Sequence, residues 1–309
     1  MPAFAPTTLT PRAVAAIAAL ECPAGSRGWS AAVAGMIEAT AAKPGNVHPG
    51  ASFPDLRYDD LLAAAAAIAP ACDRAPAAGP GRTILEAVEA ARAVVDTNAN
   101  LGIILLVAPL AAVPDDEPLD AAGVDRVLDR LDATDAALVW RAIARARPGG
   151  MGRVDAWDLA AAAPADLRAA MRAAADRDRI ARYYADGFAP LFAGPVADLE
   201  AALGAGMPLL EAVVDCHLRQ LARDPDSLVT RRHGSAAAAA VSTAAAALLR
   251  LPAGERPAAI AVFDAGLRAP ARLNPGTTAD IVAAALYILL RSGRLVPGSD
   301  PGSFLPAAS

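Results

Sequence analysis

The stretch MPLLEAVVDCHLRQLARD, residues 207–224, decides the fold class. Its apolar side chains recur every three or four residues, which is the spacing of one face of an α-helix. This face comprises Leu210, Val213, Val214, His217, Leu218 and Leu221. The same spacing continues through residues 166–192 and along most of the chain, whereas the alternation typical of strands is not found. We therefore predict an all-α protein of about a dozen helices with at most incidental strands.

Composition agrees with this fold class and limits the function. Of the 309 residues, 55% are hydrophobic but only 4% are aromatic, so the apolar content is mostly alanine, leucine and valine, which favour close-packed helices. The net charge of −5 argues against a general nucleic-acid-binding surface. The breaks between helical segments are too short for interdomain linkers, and we expect one all-helical domain over residues 1–309.

The chain also carries signals about its compartment. Its cysteines, Cys22, Cys72 and Cys216, are odd in number and far apart, which suits a reducing cytoplasm. The N-terminus lacks the pattern of a signal peptide, and the longest apolar run, residues 101–113, is too short to span a bilayer. We expect a soluble cytoplasmic protein. The alanine-rich segment 236–249 leaves two alternatives open, packing in the core or against a second subunit in a homodimer.

A first polar loop interrupts the helices at EATAAKPGNVHPG, residues 38–50. The residue before a proline leaves the α region, so Lys43-Pro44-Gly45 ends a helix. Two interpretations are open here: a lysine near the carbonyls of a helix end, or an ammonium and a turn presented to an anion. Asp55 follows closely and is a candidate ligand for Mg²⁺, which prefers one or two carboxylates together with phosphate oxygens.

A second polar loop, DTNANLG at residues 96–102, leads into an apolar helix. Backbone N–H groups at a helix start form a natural anion site, and helix capping alone needs only one polar residue. A third loop, DPDSLVTRRHG at residues 224–234, contains the adjacent Arg231 and Arg232. Adjacent arginines are suited to binding phosphates, although a solvated basic helix end is an equally simple interpretation.

The fourth polar loop is NPGTTAD, residues 274–280. Its Pro-Gly turn and its threonines have a structural explanation as a turn and helix caps. Asp280 falls on the first turn of an otherwise apolar helix, where it is either a surface residue favoured by the helix dipole or a metal ligand. His217, among leucines and valines, is interpreted as a core or interface histidine.

Taken in this order, the four loops resemble the triphosphoribosyl-dephospho-CoA synthase family over roughly residues 30–290. The segment from Glu38 to Gly45 is similar to the family's Glu…Lys-Pro-Gly segment, and Asp55-Leu56 to its Asp-Met pair. In the second loop, Asn98-Ala-Asn-Leu-Gly102 corresponds to the family's Asn-Thr-His-Lys-Gly. In the third loop, Asp226-Ser227 and Arg231-Arg232-His233-Gly234 correspond to its Asp-Thr…Arg-Gly-Gly. In the fourth loop, Asn274-Pro-Gly-Thr-Thr-Ala-Asp280 corresponds to its Ser-Pro-Gly-Gly-Ser-Ala-Asp.

The resemblance implies a glycosyl transfer in which the ribose triphosphate of ATP is joined to the 2′-hydroxyl of dephospho-CoA and adenine is released. It implies Mg²⁺ as cofactor and small-molecule nucleotides as partners. On this basis the predicted catalytic residues are Glu38 and Asp55, and the predicted metal ligands are Asp55, Asp226 and Asp280. The predicted substrate-binding residues are Lys43, Gly45, Asn46, His48, Asn98, Asn100, Gly102, Ser227, Arg231, Arg232, Asn274 and Gly276.

This chain departs from the family pattern at two places. Asn100-Leu101 stands where the family has His-Lys, and His233-Gly234 replaces a glycine pair. Because Leu101 replaces the family's lysine, a positive charge is lost at this position. Three alternatives are open: weaker binding of a triphosphate, a different donor substrate, or transfer to another cofactor. A hydrolase of ribosyl bonds and a non-catalytic nucleotide-binding protein are the remaining alternatives.

Overall fold

The computed structural model describes residues 9–97, 99–146, 163–269, 271–300 and 302–307, and these residues are mainly α-helical. The helices are α1 Pro11–Ala18, α2 Arg27–Thr40, α3 Tyr58–Ala67, α4 Ala69–Asp73, α5 Ala75–Ala78, α6 Pro80–Val94, α7 Leu101–Ala111, α8 Ala121–Asp129, α9 Ala133–Ala146, α10 Leu167–Ala174, α11 Arg179–Ala185, α12 Ala189–Leu191, α13 Ala197–Gly204, α14 Leu209–Arg223, α15 Ser227–His233, α16 Ser235–Arg250, α17 Arg256–Arg268 and α18 Gly276–Arg291. A π-helical turn, Phe192–Val196, links α12 to α13, and the antiparallel strands β1 (Leu295–Pro297) and β2 (Phe304–Pro306) follow α18. The predicted all-α class is confirmed, while the extent of one domain over residues 1–309 stays a prediction.

Helices α2 and α18 pack against each other at the centre of the molecule. In α2 every residue after Arg27 is buried, and α18 is buried from Thr277 to Leu290 except at the partly exposed Asp280. A helix that is apolar on all sides is stable only when other elements surround it, and α7 and α14 pack on α18 in this way. The carboxylates of Glu38 and Asp280 therefore belong to helices that lie in the interior of the described structure.

Helix α7 contains a proline, Pro109, within its last turn. Because proline has no backbone N–H, the carbonyl four residues earlier loses its helical partner. That carbonyl belongs to Leu105, and the buried hydroxyl of Tyr184 donates a hydrogen bond to it at 2.6 Å. The side chain from α11 thus replaces the missing backbone donor and fixes α11 against α7.

Residues 166–192, which the periodicity predicts as continuous helix, are divided into α10, α11 and α12. The first break occurs because the Asp178 side chain accepts hydrogen bonds from the backbone of Ile180 (2.8 Å) and Ala181 (3.2 Å) and so starts a new helix. The second break follows two residues with positive φ, Gly187 and Phe188. At the start of α11, the Asp178 side chain binds backbone N–H groups of its own helix and also pairs with Arg231 of α15.

The alanine-rich segment forms α16, which lies at the surface of the described structure rather than inside its core. One face of α16, with Ala238, Val241, Ala245 and Leu248, is buried, and α14 and α17 are its neighbours. The homodimer stays a prediction. Among the described residues, no helix is long and apolar enough to cross a membrane.

Candidate active site

The carboxylate of Asp280 lies at the N-terminus of α7, so the second and fourth polar loops are in contact. The Ile103 backbone N–H interacts with this carboxylate, as expected for an anion at a helix start. A Cβ atom on Gly102 would lie only 1.9 Å from Asp280 Oδ2. Glycine at this position therefore makes room for the Asp280 side chain.

Three other carboxylates act electrostatically on Asp280. Burial raises the pKa of Asp280 well above its ordinary value, and Glu38, Asp226 and Asp178 raise this pKa further, in that order. The Ile103 N–H acts in the opposite direction. We call Glu38, Asp178, Asp226 and Asp280 the acidic cluster. A positive charge placed among them would favour the ionised form of Asp280, which makes this a candidate site for cationic ligands or intermediates.

Lys43 is fully buried, and its Nζ atom pairs with Glu38 Oε1 at 2.8 Å. The same ammonium donates to the backbone carbonyls of Glu38 and of Ala41, the latter at 3.2 Å. An ammonium has three N–H donors, so all three are used within the protein. The helix-end interpretation therefore describes Lys43, which has no donor left for a phosphate in this structure.

Asp226 connects α15 to α18 through both of its carboxylate oxygens. Oδ1 accepts hydrogen bonds from the backbone N–H groups of Leu228 (2.9 Å) and Val229 (3.0 Å). Oδ2 accepts from the backbone N–H (2.7 Å) and the hydroxyl (2.8 Å) of Thr278. Burial raises the pKa of Asp226 despite these hydrogen bonds. With both oxygens engaged, Asp226 is better placed to hold Thr278 and the first turn of α18 than to bind a metal ion.

Arg179, at the start of α11, joins the same network. Its Nη1 donates to Thr278 Oγ1 at 2.9 Å, and its backbone N–H donates to Ser227 Oγ at 3.3 Å. Ser227 in turn donates to Thr277 Oγ1 at 3.1 Å. Arg179 is almost fully buried and pairs through Nε with Asp224 Oδ2 at 3.3 Å. The starts of α11, α15 and α18 are therefore held together by polar contacts.

Four arginines, Arg231, Arg232, Arg268 and Arg272, form a group that we call the arginine rim. Arg231 Nη1 pairs with Asp178 Oδ2 at 3.2 Å, so the rim adjoins the acidic cluster. Partial burial, then the charges of Arg272 and Arg231, lower the pKa of Arg232. Like charges that repel one another are the arrangement expected where an anion binds.

The first polar loop is held by contacts from the far end of the chain. Gly45 has a φ of +78° and donates its N–H to Asp264 Oδ1 at 2.7 Å. Asn46 Nδ2 donates to Asn274 Oδ1 at 2.7 Å. A Cβ on Gly276 would lie 2.7 Å from Leu228 Cδ2, so this glycine permits close packing of the fourth loop on the third. The first, third and fourth loops thus meet.

His48 lies partly buried beside the rim. Burial and then the charge of Arg268 lower the pKa of His48, Asp264 opposes this, and Lys43 lowers it further. His217, fully buried on α14, has no hydrogen-bond partner on either ring nitrogen among the described residues. Burial, Lys43 and Arg179 all depress the pKa of His217 well below its ordinary value, which agrees with its interpretation as a neutral interior histidine.

The family comparison decides the identity of this assembly of loops. Residues 26–296 match the model of the ATP:dephospho-CoA triphosphoribosyl transferase family. The chain belongs to this family. The crystal structure of a candidate triphosphoribosyl-dephospho-CoA synthase from Archaeoglobus fulgidus is similar, with a TM-score of 0.59 and 25% identity, over 75% of this chain and 99% of that chain. A comparison with curated proteins gives no match.

The predicted family and its activity are thereby confirmed: the chain is an ATP:dephospho-CoA triphosphoribosyl transferase. Its site residues were predicted from four loops, and a series of contacts connects them. Lys43 pairs with Glu38, Glu38 and Asp178 affect Asp280, Asp280 contacts Gly102, and Asp178 pairs with Arg231. Asn98 lies outside the described residues.

Two predicted site residues, Asp55 and Asn100, are not part of this series of contacts. Asp55 lies near the surface, and the amide of Asn100 already has hydrogen-bond partners within the protein. Asp55 is largely exposed and pairs with Arg272. The Asn100 amide, oriented to donate to Ala99 O (2.7 Å) and to accept from Ala65 N (3.2 Å), is satisfied by the protein. Within the described ranges, no three acidic, histidine or cysteine side chains are arranged to hold one metal ion. The structure therefore does not gather Asp55, Asp226 and Asp280 around a single cation.

Four residues of the site were not predicted from the sequence: Asp178, Arg179, Arg268 and Arg272. Asp178 and Arg179 are hidden in a run of alternating arginines and aspartates with helical spacing, where charged residues are expected on a solvated face. Aspartate is a preferred N-cap residue, so a helix start at Asp178 could have been predicted, and it would have separated Asp178 and Arg179 from a solvated helix face. Arg268 closes a helix, as many solvated arginines do, and Arg272 follows in a loop.

We expect Gly102→Ala to lower the transferase activity about 10²-fold, because the added Cβ would displace the Asp280 carboxylate, and small misplacements of catalytic groups have effects of this size. Steady-state kinetics would measure it. Gly204→Ala is the matched control, since nothing lies within 4 Å of a Cβ there, and it should retain normal activity. Equal activity of both variants would show that the position of Asp280 is unimportant.

Proposed function

We propose that the acidic cluster and the arginine rim together form the site of triphosphoribosyl transfer. The observation that supports this is the ion pair between Asp178 of the cluster and Arg231 of the rim, at 3.2 Å. It places carboxylates suited to a cationic sugar beside guanidinium groups suited to phosphates. Cleavage of the bond between adenine and ribose requires both kinds of group close together, because the triphosphate is attached to the sugar that reacts.

The carboxylates would act on the ribose. Breaking an N-glycosidic bond generates positive charge at the anomeric carbon, as in glycoside hydrolysis. Burial and then the charges of other carboxylates raise the pKa of Asp280, while part of the residue remains accessible to solvent. Such a group stabilises a developing cation strongly, because ionisation of Asp280 and formation of the cation favour each other.

Arg231 and Arg232 of the arginine rim would hold the triphosphate. Guanidinium groups bind phosphate oxygens through paired N–H donors. Arg232 has no ion pair or side-chain hydrogen bond among the described residues, so its donors are available. Binding an anion would also relieve the repulsion that Arg232 experiences from Arg231 and Arg272. Lys43 is assigned a different role from the one predicted: it orients Glu38 instead of contacting phosphate.

The residues fit Mg²⁺ as a cation bound mainly by the nucleotide. Mg²⁺ in nucleotide sites is held by one or two carboxylates plus phosphate oxygens. Asp280 supplies one such carboxylate, and Asp226 has its four protein hydrogen bonds instead. When bound, the metal would neutralise phosphate charge. Glu38, held by Lys43, is proposed to accept the proton of the attacking hydroxyl.

Space for the acceptor is available next to this network. Arg179 also lines a cavity of about 410 Å³ between α11, the π-helical turn and α14. The other lining residues include Arg182, Tyr183, Gln220 and Arg223. The volume lies within the range of small-molecule sites. We propose that part of the dephospho-CoA molecule occupies this cavity while its 2′-hydroxyl faces the acidic cluster.

We expect adenine release to require ATP, Mg²⁺ and dephospho-CoA together, and to fall at least about 10-fold when any one of them is omitted. Chromatographic measurement of free adenine, with and without a chelator, tests this. Equal release without dephospho-CoA would indicate a hydrolase, and nucleotide binding without turnover would indicate a binding protein. Either result would contradict the proposal. The cytoplasmic location stays a prediction.

A further inference from the structure

Three buried polar atoms beside the first polar loop have no hydrogen-bond partner among the described residues. They are Arg268 Nη1, Arg272 Nε and Asn46 Oδ1. Other nitrogens of the same guanidinium groups are engaged: Arg268 Nε donates to Asp264 at 2.7 Å, Arg268 Nη2 donates to the Asn46 carbonyl, and Arg272 Nη2 donates to Asp55. Each guanidinium thus keeps an unused donor while its orientation is fixed.

Both guanidinium groups share one aromatic support. The Cζ atoms of Arg268 and Arg272 lie 5.6 Å and 4.2 Å from the centre of the Phe53 ring. Cation–π contacts of this kind favour a defined orientation of the guanidinium plane. Phe53 is itself buried. Arg272 moreover has a φ of 51°, a conformation that non-glycine residues adopt rarely. The local structure therefore places these two charges on the same ring despite their repulsion.

The surroundings carry an excess of positive charge. Asp264, Asp55 and Asp178 pair with Arg268, Arg272 and Arg231, and Arg232 adds a fourth guanidinium group that has no ion pair among the described residues. Arg272 is the leading charge that lowers the pKa of Arg232, and Arg268 is the leading charge that lowers the pKa of His48. A buried donor without a partner destabilises the structure, and more so when it is charged. A bound anion would provide acceptors for the unpaired donors and would offset the repulsion between the positive charges.

We propose that Arg268 and Arg272, supported on Phe53 and joined by Arg232, form a phosphoryl-binding site. The chemistry is set by the donors: guanidinium N–H pairs match the oxygens of phosphate, and Arg binds them bidentately. The phosphoryl group belongs to the donor's triphosphate or to the diphosphate of the acceptor. This assignment rests on the proposed function only for the identity of the substrate, since the anion site itself would exist in the absence of turnover.

Binding of inorganic tripolyphosphate and of pyrophosphate, measured by calorimetry at fixed low salt, tests the site without any catalysis. We expect Arg272→Gln and Arg268→Gln each to weaken tripolyphosphate binding about 10-fold or more, since hydrogen bonds to charged groups have this size. Arg272→Lys should retain part of the affinity. The matched control is Arg294→Gln, which removes a surface arginine paired with Glu200 and should leave the affinity unchanged.

Asp55→Asn distinguishes an anion site from a structural ion pair. Removing the carboxylate that competes for Arg272 should tighten tripolyphosphate binding about 2- to 5-fold, whereas a purely structural role for the pair would weaken it. Kinetics then identifies the substrate: a raised KM for ATP in Arg272→Gln assigns the site to the triphosphate, and a raised KM for dephospho-CoA assigns it to the diphosphate. Unchanged anion affinity in Arg272→Gln and Arg268→Gln would overturn the proposal, even if adenine release is confirmed.

Discussion

Asp280→Asn is expected to abolish most of the transferase activity, with kcat reduced by at least about 10²-fold. Asparagine keeps the shape of the side chain and the contact with Gly102, but it cannot carry the negative charge that a cationic ribose or a metal ion requires. The adenine-release assay at saturating ATP and dephospho-CoA would measure the loss. Asp59→Asn, which removes an exposed carboxylate paired with Arg12, is the matched control and should be fully active.

Although Asp280→Asn should lose activity, it should be more stable than the native protein. Burial and three neighbouring carboxylates raise the pKa of Asp280, so its charge opposes folding at neutral pH. The folded protein then binds its proton more tightly than the unfolded chain, and stability falls as pH rises above the ordinary value of 3.8. Asp280→Asn should therefore be more stable by about 0.5–2 kcal/mol at neutral pH.

Denaturant unfolding of both proteins at several pH values tests this sign. The advantage of Asp280→Asn should shrink as the pH is lowered, because the native carboxyl becomes protonated and neutral. A variant that is inactive and also less stable than the native protein at pH 7–8 would show that Asp280 has a structural role. An active variant would remove Asp280 from the proposed mechanism.

Much of the fold could be predicted because helical spacing is a local property. The apolar face of residues 207–224 is one side of α14. The threonine caps expected in the fourth polar loop were wrong, because α18 begins at Gly276 after Pro275 without a side-chain cap, and Thr277 and Thr278 lie inside its first turn. The division of residues 166–192 was not predicted, since Asp178 occupies a position compatible with a helix face. Asp178 caps α11, and the adjacent Arg179 makes contacts with α15 and α18 that no local pattern contains.

The site was predicted as a set of loops but not in its internal roles. Lys43 has the residue type of a phosphate ligand, and only three-dimensional packing shows that Glu38 and two carbonyls occupy all its donors. Arg272 shows the reverse case, because an arginine in a loop suggests nothing until Phe53 and Asp55 are seen to fix it. Residue type thus predicts which chemistry is available, whereas the partners of each side chain decide its role.

The partners of Asp226, Glu38 and Asp280 also differ, and they indicate different roles for the three carboxylates. Asp226 has four protein hydrogen bonds, and Glu38 has an ammonium partner. Asp280 has the Ile103 N–H and otherwise faces negative charge. A site that must respond to a transient cation needs one carboxylate whose charge is poorly compensated in the free protein, since a fully paired carboxylate gains little from the cation. Asp280 meets this requirement better than the other two.

Lys43→Met should destabilise the protein by roughly 3–5 kcal/mol, because it leaves the buried Glu38 carboxylate without its cation. Glu38→Gln alone should have a smaller effect, since Lys43 keeps the carbonyls of residues 38 and 41 as acceptors. The double variant should recover part of the stability lost in Lys43→Met, as expected for two residues that interact directly. Equilibrium unfolding in denaturant measures all three.

Activity distinguishes a positioning role for Lys43 from the phosphate contact predicted from sequence. If Lys43 acts through Glu38, the double variant should regain stability but stay at least about 10²-fold less active than the native protein, with a KM for ATP close to normal. A phosphate contact would instead raise the KM for ATP in every variant that lacks Lys43. For comparison, removing Arg12 from its exposed pair with Asp59 should change stability by less than about 1 kcal/mol. A Lys43→Met protein as stable as that control would contradict the buried ion pair itself.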